Sequence, residues 1–288
     1  MHPRLGLDLA REAWPTPDCL AAREAAGFGW IQVHAPSPEL LGDRAYRIRL
    51  ARALRAALDE GASRLVLHAP GRLRAGTAHG DRALLGVLDY AAETGAEIVV
   101  YHGQPSVREG DPLIAAEDAR LEERALGRLA RRATAQGFVL AIENLAPGAD
   151  PSPAGTRPAH DALAVRDLVR RLDSWGCGMA LDLGHLNLLV GGSEAEMGAM
   201  VAACASYVVL WNAHDNLAGA REVGAAEAAT DVHLAPGRGS LPWPGVATFL
   251  TAHRAPLVVE IAPLPLSELP ALAATTTALV FHSVGVTA

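Results

Sequence analysis

Lysine is absent from this 288-residue chain, so all 25 basic residues are arginine. They are outnumbered by 32 acidic residues, and the net charge of -7 argues against a surface that gathers nucleic-acid phosphates. Cysteine is scarce as well. Cys19, Cys177 and Cys204 are odd in number, far apart and without CxxC spacing, which excludes a disulfide framework and a cysteine zinc site. No apolar run reaches the roughly 18 residues of a membrane span. The N-terminal MHPRLGLDLA has no charged region followed by a long apolar one, so a cytoplasmic chain is the expectation. Aromatic residues amount to 5 %, and Trp14, Trp30, Trp211 and Trp243 read as core or pocket walls rather than as a platform for stacked bases.

Apolar residues are plentiful: half the chain is hydrophobic, enough for one barrel of roughly 250 residues. Short apolar runs alternate with longer Ala, Leu and Arg segments of helical character, the pattern of repeated strand–helix units. Strands are expected at Leu5–Leu9, Trp30–His34, Arg64–His68, Glu97–His102, Phe138–Glu143, Gly178–Asp182, Tyr207–His214 and Leu257–Glu260. Thr16 before Pro17 marks one helix start, Ser193 with Glu196 another, and a helix is expected over Arg44–Glu60. No glycine-rich phosphate turn follows the first strand, which disfavours an open doubly wound sheet. The expectation is therefore an α/β chain forming one (β/α)8 TIM barrel over residues 1–288. Two connections, Asn144–His160 and Asn216–Pro242, are too long for simple links and fall where barrels build lids and substrate walls.

Chemistry gathers where the apolar runs stop. RLVLH ends at His68, EIVVYH at His102, FVLAIE at Glu143, GMALD at Asp182, YVVLWNAHD at His214 and Asp215, and PLVVE at Glu260. Six consecutive strands thus end in a residue able to bind a metal, at the face where barrel catalysis resides. Carboxylates crowded there repel one another and lose hydration, a cost on the order of several kcal/mol that a divalent cation offsets. DLGHLN places His185 one turn beyond Asp182, and DVH brings Asp231 and His233 from the second long connection. Mixed imidazole and carboxylate suit Zn, Mn, Fe or Co better than Ca or Mg. The expected cofactor is one or more divalent ions, zinc or manganese.

The segments AIENLA, LDLGHLN, AHDN, DVHLAPGRGSLPW and VVEIAP, in this order and spacing, resemble the xylose isomerase-like barrel superfamily. That superfamily holds sugar isomerases and epimerases and the apurinic endonuclease IV type of nuclease, and the resemblance spans nearly the whole chain. For the epimerase branch it implies a single ion on Glu143, Asp182, a strand-seven residue and Glu260, with the two glutamates exchanging the substrate proton. For the nuclease branch it implies three zinc ions on those residues together with His68, His102, His185, Asp231 and His233. One position departs from the pattern. The strand-seven motif of the family reads His-x-x-Asp or His-x-His-Asp, whereas this chain has Asn212, Ala213, His214 and Asp215. Strand side chains alternate, so His214 shares a face with Asn212 and offers an imidazole about 7 Å further along.

Plainer roles stand beside these. Glu143, Asp182 and Glu260 would otherwise form ion pairs with barrel arginines; His68 and His102 would hydrogen-bond substrate or a carboxylate; Asp231 and His233 would only pin their loop. The GxG at Gly237 and Gly239 is too short to be a phosphate motif. Expected substrate contacts are His185, His68, His102, Asn187, Trp14 and His34. Two functions follow. The first is isomerisation or epimerisation of a small sugar, sugar phosphate or polyol through an enediolate, with Glu143 and Glu260 as base and acid. The second is zinc-dependent phosphoester hydrolysis of the endonuclease IV kind, for which His68, His102, Asp231 and His233 speak. The acidic total, Asn212 and the lack of a basic track beyond Arg72 and Arg74 favour the first. A barrel kept only as a binding module would lack a general base.

Overall fold

A computed structural model of the chain describes residues 2–10, 14–71, 73–102, 112–147, 161–172, 176–218, 224 and 230–281. Eight parallel strands close into a barrel in chain order. They are β1 (His2–Asp8), β2 (Phe28–His34), β3 (Arg64–His68), β4 (Ile98–Tyr101), β5 (Val139–Glu143), β6 (Cys177–Asp182), β7 (Val208–Ala213) and β8 (Leu257–Val259). Leu5 opposite Leu257 and Leu7 opposite Val259 make the closing seam, which excludes the open doubly wound sheet. Helices α1 (Pro17–Ala26), α2 (Pro38–Gly42), α3 (Arg44–Asp59), α4 (Ala78–Thr94), α5 (Pro112–Ala135) and α6 (Ala162–Leu172) precede β6. After it come α7 (Leu183–Leu189), α8 (Glu194–Cys204), α9 (Trp243–Ala252) and α10 (Leu269–Phe281).

Local sequence explains where these elements begin. Thr16 accepts from the Cys19 amide while Pro17 opens α1, and Ser193 accepts from the Glu196 amide at the start of α8. Helix α3 matches the expectation to within one residue at its end. Strands β4, β7 and β8 stop one residue before His102, His214 and Glu260. Of the two long connections, residues 148–160 and, apart from 224, residues 219–229 lie outside the described residues, as does Arg72. Among the described residues no helix is long and apolar enough to cross a membrane.

Strand alternation then divides the apolar side chains in two. One set packs between sheet and helices as the main core. The other, Trp30, Val66, Ile98, Val100, Ala141, Ala180, Leu210 and Val258, forms a separate cluster inside the barrel. Two residues along each strand the character changes to polar: Gln32 after Trp30, His68 after Val66, His102 after Val100, Glu143 after Ala141, Asp182 after Ala180, Asn212 after Leu210 and Glu260 after Val258. The same period of two that fills the barrel interior therefore brings one polar side chain from each of β2 to β8, on the strand or just past its end, to its mouth.

Candidate active site and metal centre

On one side of the mouth the centre is an amide. Asn212 Nδ2 donates to Glu143 Oε1 at 2.9 Å and to Glu260 Oε1 at 3.1 Å. Gln32 Nε2 donates to the same Glu260 oxygen and, at 3.1 Å, to Asp8 Oδ1. Asp8 in turn meets His34 Nε2 through its other oxygen at 3.2 Å. Glu143 keeps His68 Nε2 at 3.3 Å from its Oε2, and the second ring nitrogen of His68 donates to the Ala69 carbonyl at 2.7 Å. Amide hydrogens thus separate two carboxylates that would otherwise repel.

On the other side the centre is Asp231. Its Oδ2 lies 3.2 Å from His185 Nε2 and 3.4 Å from His233 Nε2, and its Oδ1 lies 3.4 Å from His214 Nε2. His185 Nδ1 donates to the Asn144 carbonyl at 2.9 Å and His233 Nδ1 to the Glu260 carbonyl at 3.0 Å. A carbonyl only accepts, so both rings carry hydrogen on Nδ1, and the neutral ring presents a bare Nε2 to the site. His214 stacks on His233 with centroids 3.9 Å apart and reaches Asp182 Oδ1 at 3.2 Å. Gly184 makes room for this ring, since a methyl at residue 184 would overlap it.

The two aspartates at the ends of β6 and β7 contrast. Asp215 accepts from the Asn216, Gly237 and Leu241 amides and from Trp243 Nε1, all at 2.9 to 3.1 Å. Both its oxygens are spent on folding the connection that delivers Asp231 and His233. Gly239 packs where a side chain would strike Asp215 and the Asn216 carbonyl, so the GxG serves this knot. Asp182, fully buried, uses Oδ1 for the His185 amide, while its Oδ2 has no hydrogen-bond partner among the described residues. An unsatisfied buried carboxylate oxygen amid imidazole nitrogens is what a divalent cation would complete.

The side chains fit such an ion. Three groups offer ligand atoms within 4.8 Å of one another: His185, His214, Asp231 and His233; His68, His102 and Glu143; and Glu143, Asp182 and His185. The mixture of nitrogen and oxygen suits zinc or manganese. Between them lies a cavity of about 360 Å3, lined by His34, His68, His102, Glu143, His185, Asp231, His233 and Glu260, with Leu145 and Ala146 as an apolar wall. Trp14 is 43 % exposed and is not among the lining residues, nor is Asn187, whose buried amide donates to Asn216 Oδ1 at 2.7 Å. Asp8, Gln32 and Asn144 carry no expectation from sequence. A count of two from Trp30 would have found Gln32, but nothing in the sequence announces that Asn144 brackets the Asp182 backbone from both sides.

Burial opposes every charge here, so neighbours decide the protonation. Against that penalty the hydrogen bond and charge of Glu143 push His68 up to about 9, and Asp231 pushes His233 up to about 9. Asp182 and Asp231 together hold His185 well above its ordinary value, again against burial. Both aspartates lie well below the usual carboxylate range, where the imidazoles outweigh burial. Glu143 is likewise lowered, since the His68 hydrogen bond outweighs burial. Glu260 moves the other way, to about 8, driven first by burial and then by the charges of Glu143 and Asp8.

A barrel with acids and histidines converging at its strand ends is a frame shared by many enzymes, and comparison narrows it. The profile of the xylose isomerase-like TIM barrel family matches residues 20–275, and the chain belongs to that family. No curated protein matches it significantly. Among solved structures it is similar to a D-tagatose 3-epimerase-like protein, with a TM-score of 0.71 and 17 % identity over 94 % of both chains. A 3-keto-D-glucoside 4-epimerase from E. coli gives a TM-score of 0.69 at 15 % identity, covering 96 % of this chain and 98 % of that one. An IolI protein whose structure holds a zinc atom gives 0.70 at 17 % identity, with the same coverage. Its structural neighbours thus include sugar epimerases.

Proposed function

We propose that the chain is a divalent-metal-dependent isomerase or epimerase of a small sugar, sugar phosphate or polyol. The observation that carries this reading is the pair Glu143 and Glu260: two buried carboxylates from β5 and β8, lining one cavity, with protonation tendencies pushed in opposite directions. Paired acids set apart in this way take the roles of base and acid. Glu143, kept ionised by His68, accepts the proton from the carbon beside a substrate carbonyl. Glu260 returns a proton from its own side, and return to the opposite face gives the epimer. Two amides fill the lone pairs of Glu260 Oε1, so Oε2 is the oxygen left to meet substrate. His34, His102 and His185 stand around the cavity as hydrogen-bond partners for hydroxyl groups.

A bound divalent ion would polarise the carbonyl and neighbouring hydroxyl oxygens and so acidify the carbon-bound hydrogen. Two sets of side chains stand where they could hold it: Glu143, Asp182, Asn212 and Glu260 on one side of the mouth, and His185, His214, Asp231 and His233 on the other, with His68 and His102 beside Glu143. The cavity volume suits a monosaccharide-sized molecule, and the epimerases among the structural neighbours support the same class. The test is incubation of the metal-loaded protein with a panel of ketoses and ketose phosphates in D2O. Deuterium should enter next to the carbonyl of at least one, at a rate that follows metal occupancy.

One observation favours a second reading. The His68, His102 and Glu143 group offers ligands that an acid–base pair does not require, and more than one ion would suit phosphoester hydrolysis. Nicking of an oligonucleotide with an abasic site at low protein concentration, with no deuterium uptake across the sugar panel, would establish it in place of the first.

A further inference from the structure

Asn212 stands between Glu143 and Glu260, where the sequence pattern leads one to expect an imidazole that helps to hold an ion. Its amide nitrogen faces both carboxylates, and turning the carbonyl oxygen toward them instead would set three acceptors together. Two N–H hydrogens therefore occupy the space between these acids and neutralise their repulsion in part. A cation brought to the same space would meet the positive end of that amide. Gln32 adds a third N–H to the set.

The other half, His185, His214, Asp231 and His233 with Asp182 beside them, has the opposite character. Three Nε2 atoms converge on Asp231 at 3.2 to 3.4 Å. Two of the rings are fixed through Nδ1 by backbone carbonyls, the outer support that metal-binding histidines generally have. His214 is fully buried, and Asp182 beside it keeps a buried oxygen without a partner among the described residues.

We propose that Asn212 takes the place of an ion between Glu143 and Glu260, and that the tight divalent-metal seat of this chain lies instead at His185, His214, Asp231 and His233. His214 supplies the strand-seven imidazole, displaced by two residues from Asn212. Proton-moving and ion-holding residues are then different sets that meet where the Glu260 carbonyl orients His233 and where Glu143 approaches Asp182 and His185. This deepens the isomerase reading and rests on its metal, not on its proton transfer.

The experiment strips the full-length protein with chelator and titrates it with Zn or Mn alone, following the tightest Kd, with Co(II) visible spectra as a second readout. His233→Ala and His214→Gln should weaken that Kd by at least about 100-fold, beyond the range for losing an outer partner. Asn212→Ala and Glu260→Gln should keep it within about threefold and leave the Co(II) spectrum in place. His233 is about a third exposed, so its variant reports even where the buried His214 variant fails to fold. Loss of the tight ion in Glu260→Gln with His233→Ala unaffected overturns the placement, and so does wild-type protein that binds no ion. Deuterium uptake is scored separately, so a misplaced ion and a wrong reaction class give different results.

Discussion

On one side of the barrel mouth Glu143 and Glu260 share the hydrogens of a single amide; on the other Asp231 gathers three imidazole nitrogens around its carboxylate. Both halves solve the cost of burying acids, yet they leave different chemistry behind. Amide hydrogens compensate charge without removing a carboxylate's capacity to take or give a proton. Imidazole nitrogens tied at Nδ1 instead present lone pairs that a cation can use. Asp215 is saturated by four donors that fold its loop, whereas Asp182 keeps one oxygen without a hydrogen-bond partner among the described residues.

The comparison breaks most visibly in turnover. Glu260→Gln should lower kcat by at least about 100-fold, the usual scale for a general acid or base, while metal content stays at the wild-type level. Kinetics paired with elemental analysis checks this, and loss of the ion together with activity would merge the two halves. A smaller effect is expected from Gly184→Ala. The added methyl overlaps the His214 ring, so metal should bind about 10-fold more weakly although no ligand atom has been changed. Competition with a chromophoric chelator measures it.

Protonation sharpens the same contrast. In metal-free protein His185 is held protonated and His233 titrates at about 9, so an ion entering their half must displace protons. Calorimetry at pH 7 in two buffers of different ionisation enthalpy should show release of at least one proton per ion, declining above pH 9. The same heat in both buffers would mean that the ion displaces no proton from His185 or His233, which contradicts a seat on these rings.

The smallest effect is on stability. His68 and His233 are raised above their unfolded values, so what they contribute is complete below about pH 6.5 and is lost as pH rises through about 9. Glu260 acts in the same direction between about pH 4.5 and 8, because the folded state favours its protonated form. The Tm of metal-free protein should therefore fall from pH 6.5 to 9, by about 2–4 °C for each kcal/mol lost. Thermal melts across that range check it, and metal-loaded protein should show a flatter profile.

Much of this was legible in the residue order. Apolar runs of period two, each closing on an acid or a histidine, specify both the barrel and the six strand ends that converge in its mouth. DVH was legible as a site segment too, although nothing local says that Asp231 will lie among His185, His214 and His233. That arrangement depends on the Asp215 knot, three of whose four donors are 22 to 28 residues away in sequence. Gln32 and Asp8 escaped because an amide and an acid in the first two strands look like ordinary polar residues until closure of the barrel sets β1 against β8 and brings Gln32 to Glu260. Asn212 was visible as a departure from the expected motif. Its consequence was not, because bridging two glutamates requires three strands in register.

The division of the mouth is tested most directly by anomalous diffraction from crystals of zinc-loaded protein. The account predicts a peak about 2.0–2.2 Å from ligand atoms of His185, His214, Asp231 and His233, with the amide of Asn212 still bridging Glu143 and Glu260. A peak lying between those two glutamates, with Asn212 turned aside or its oxygen bound to the metal, would contradict it.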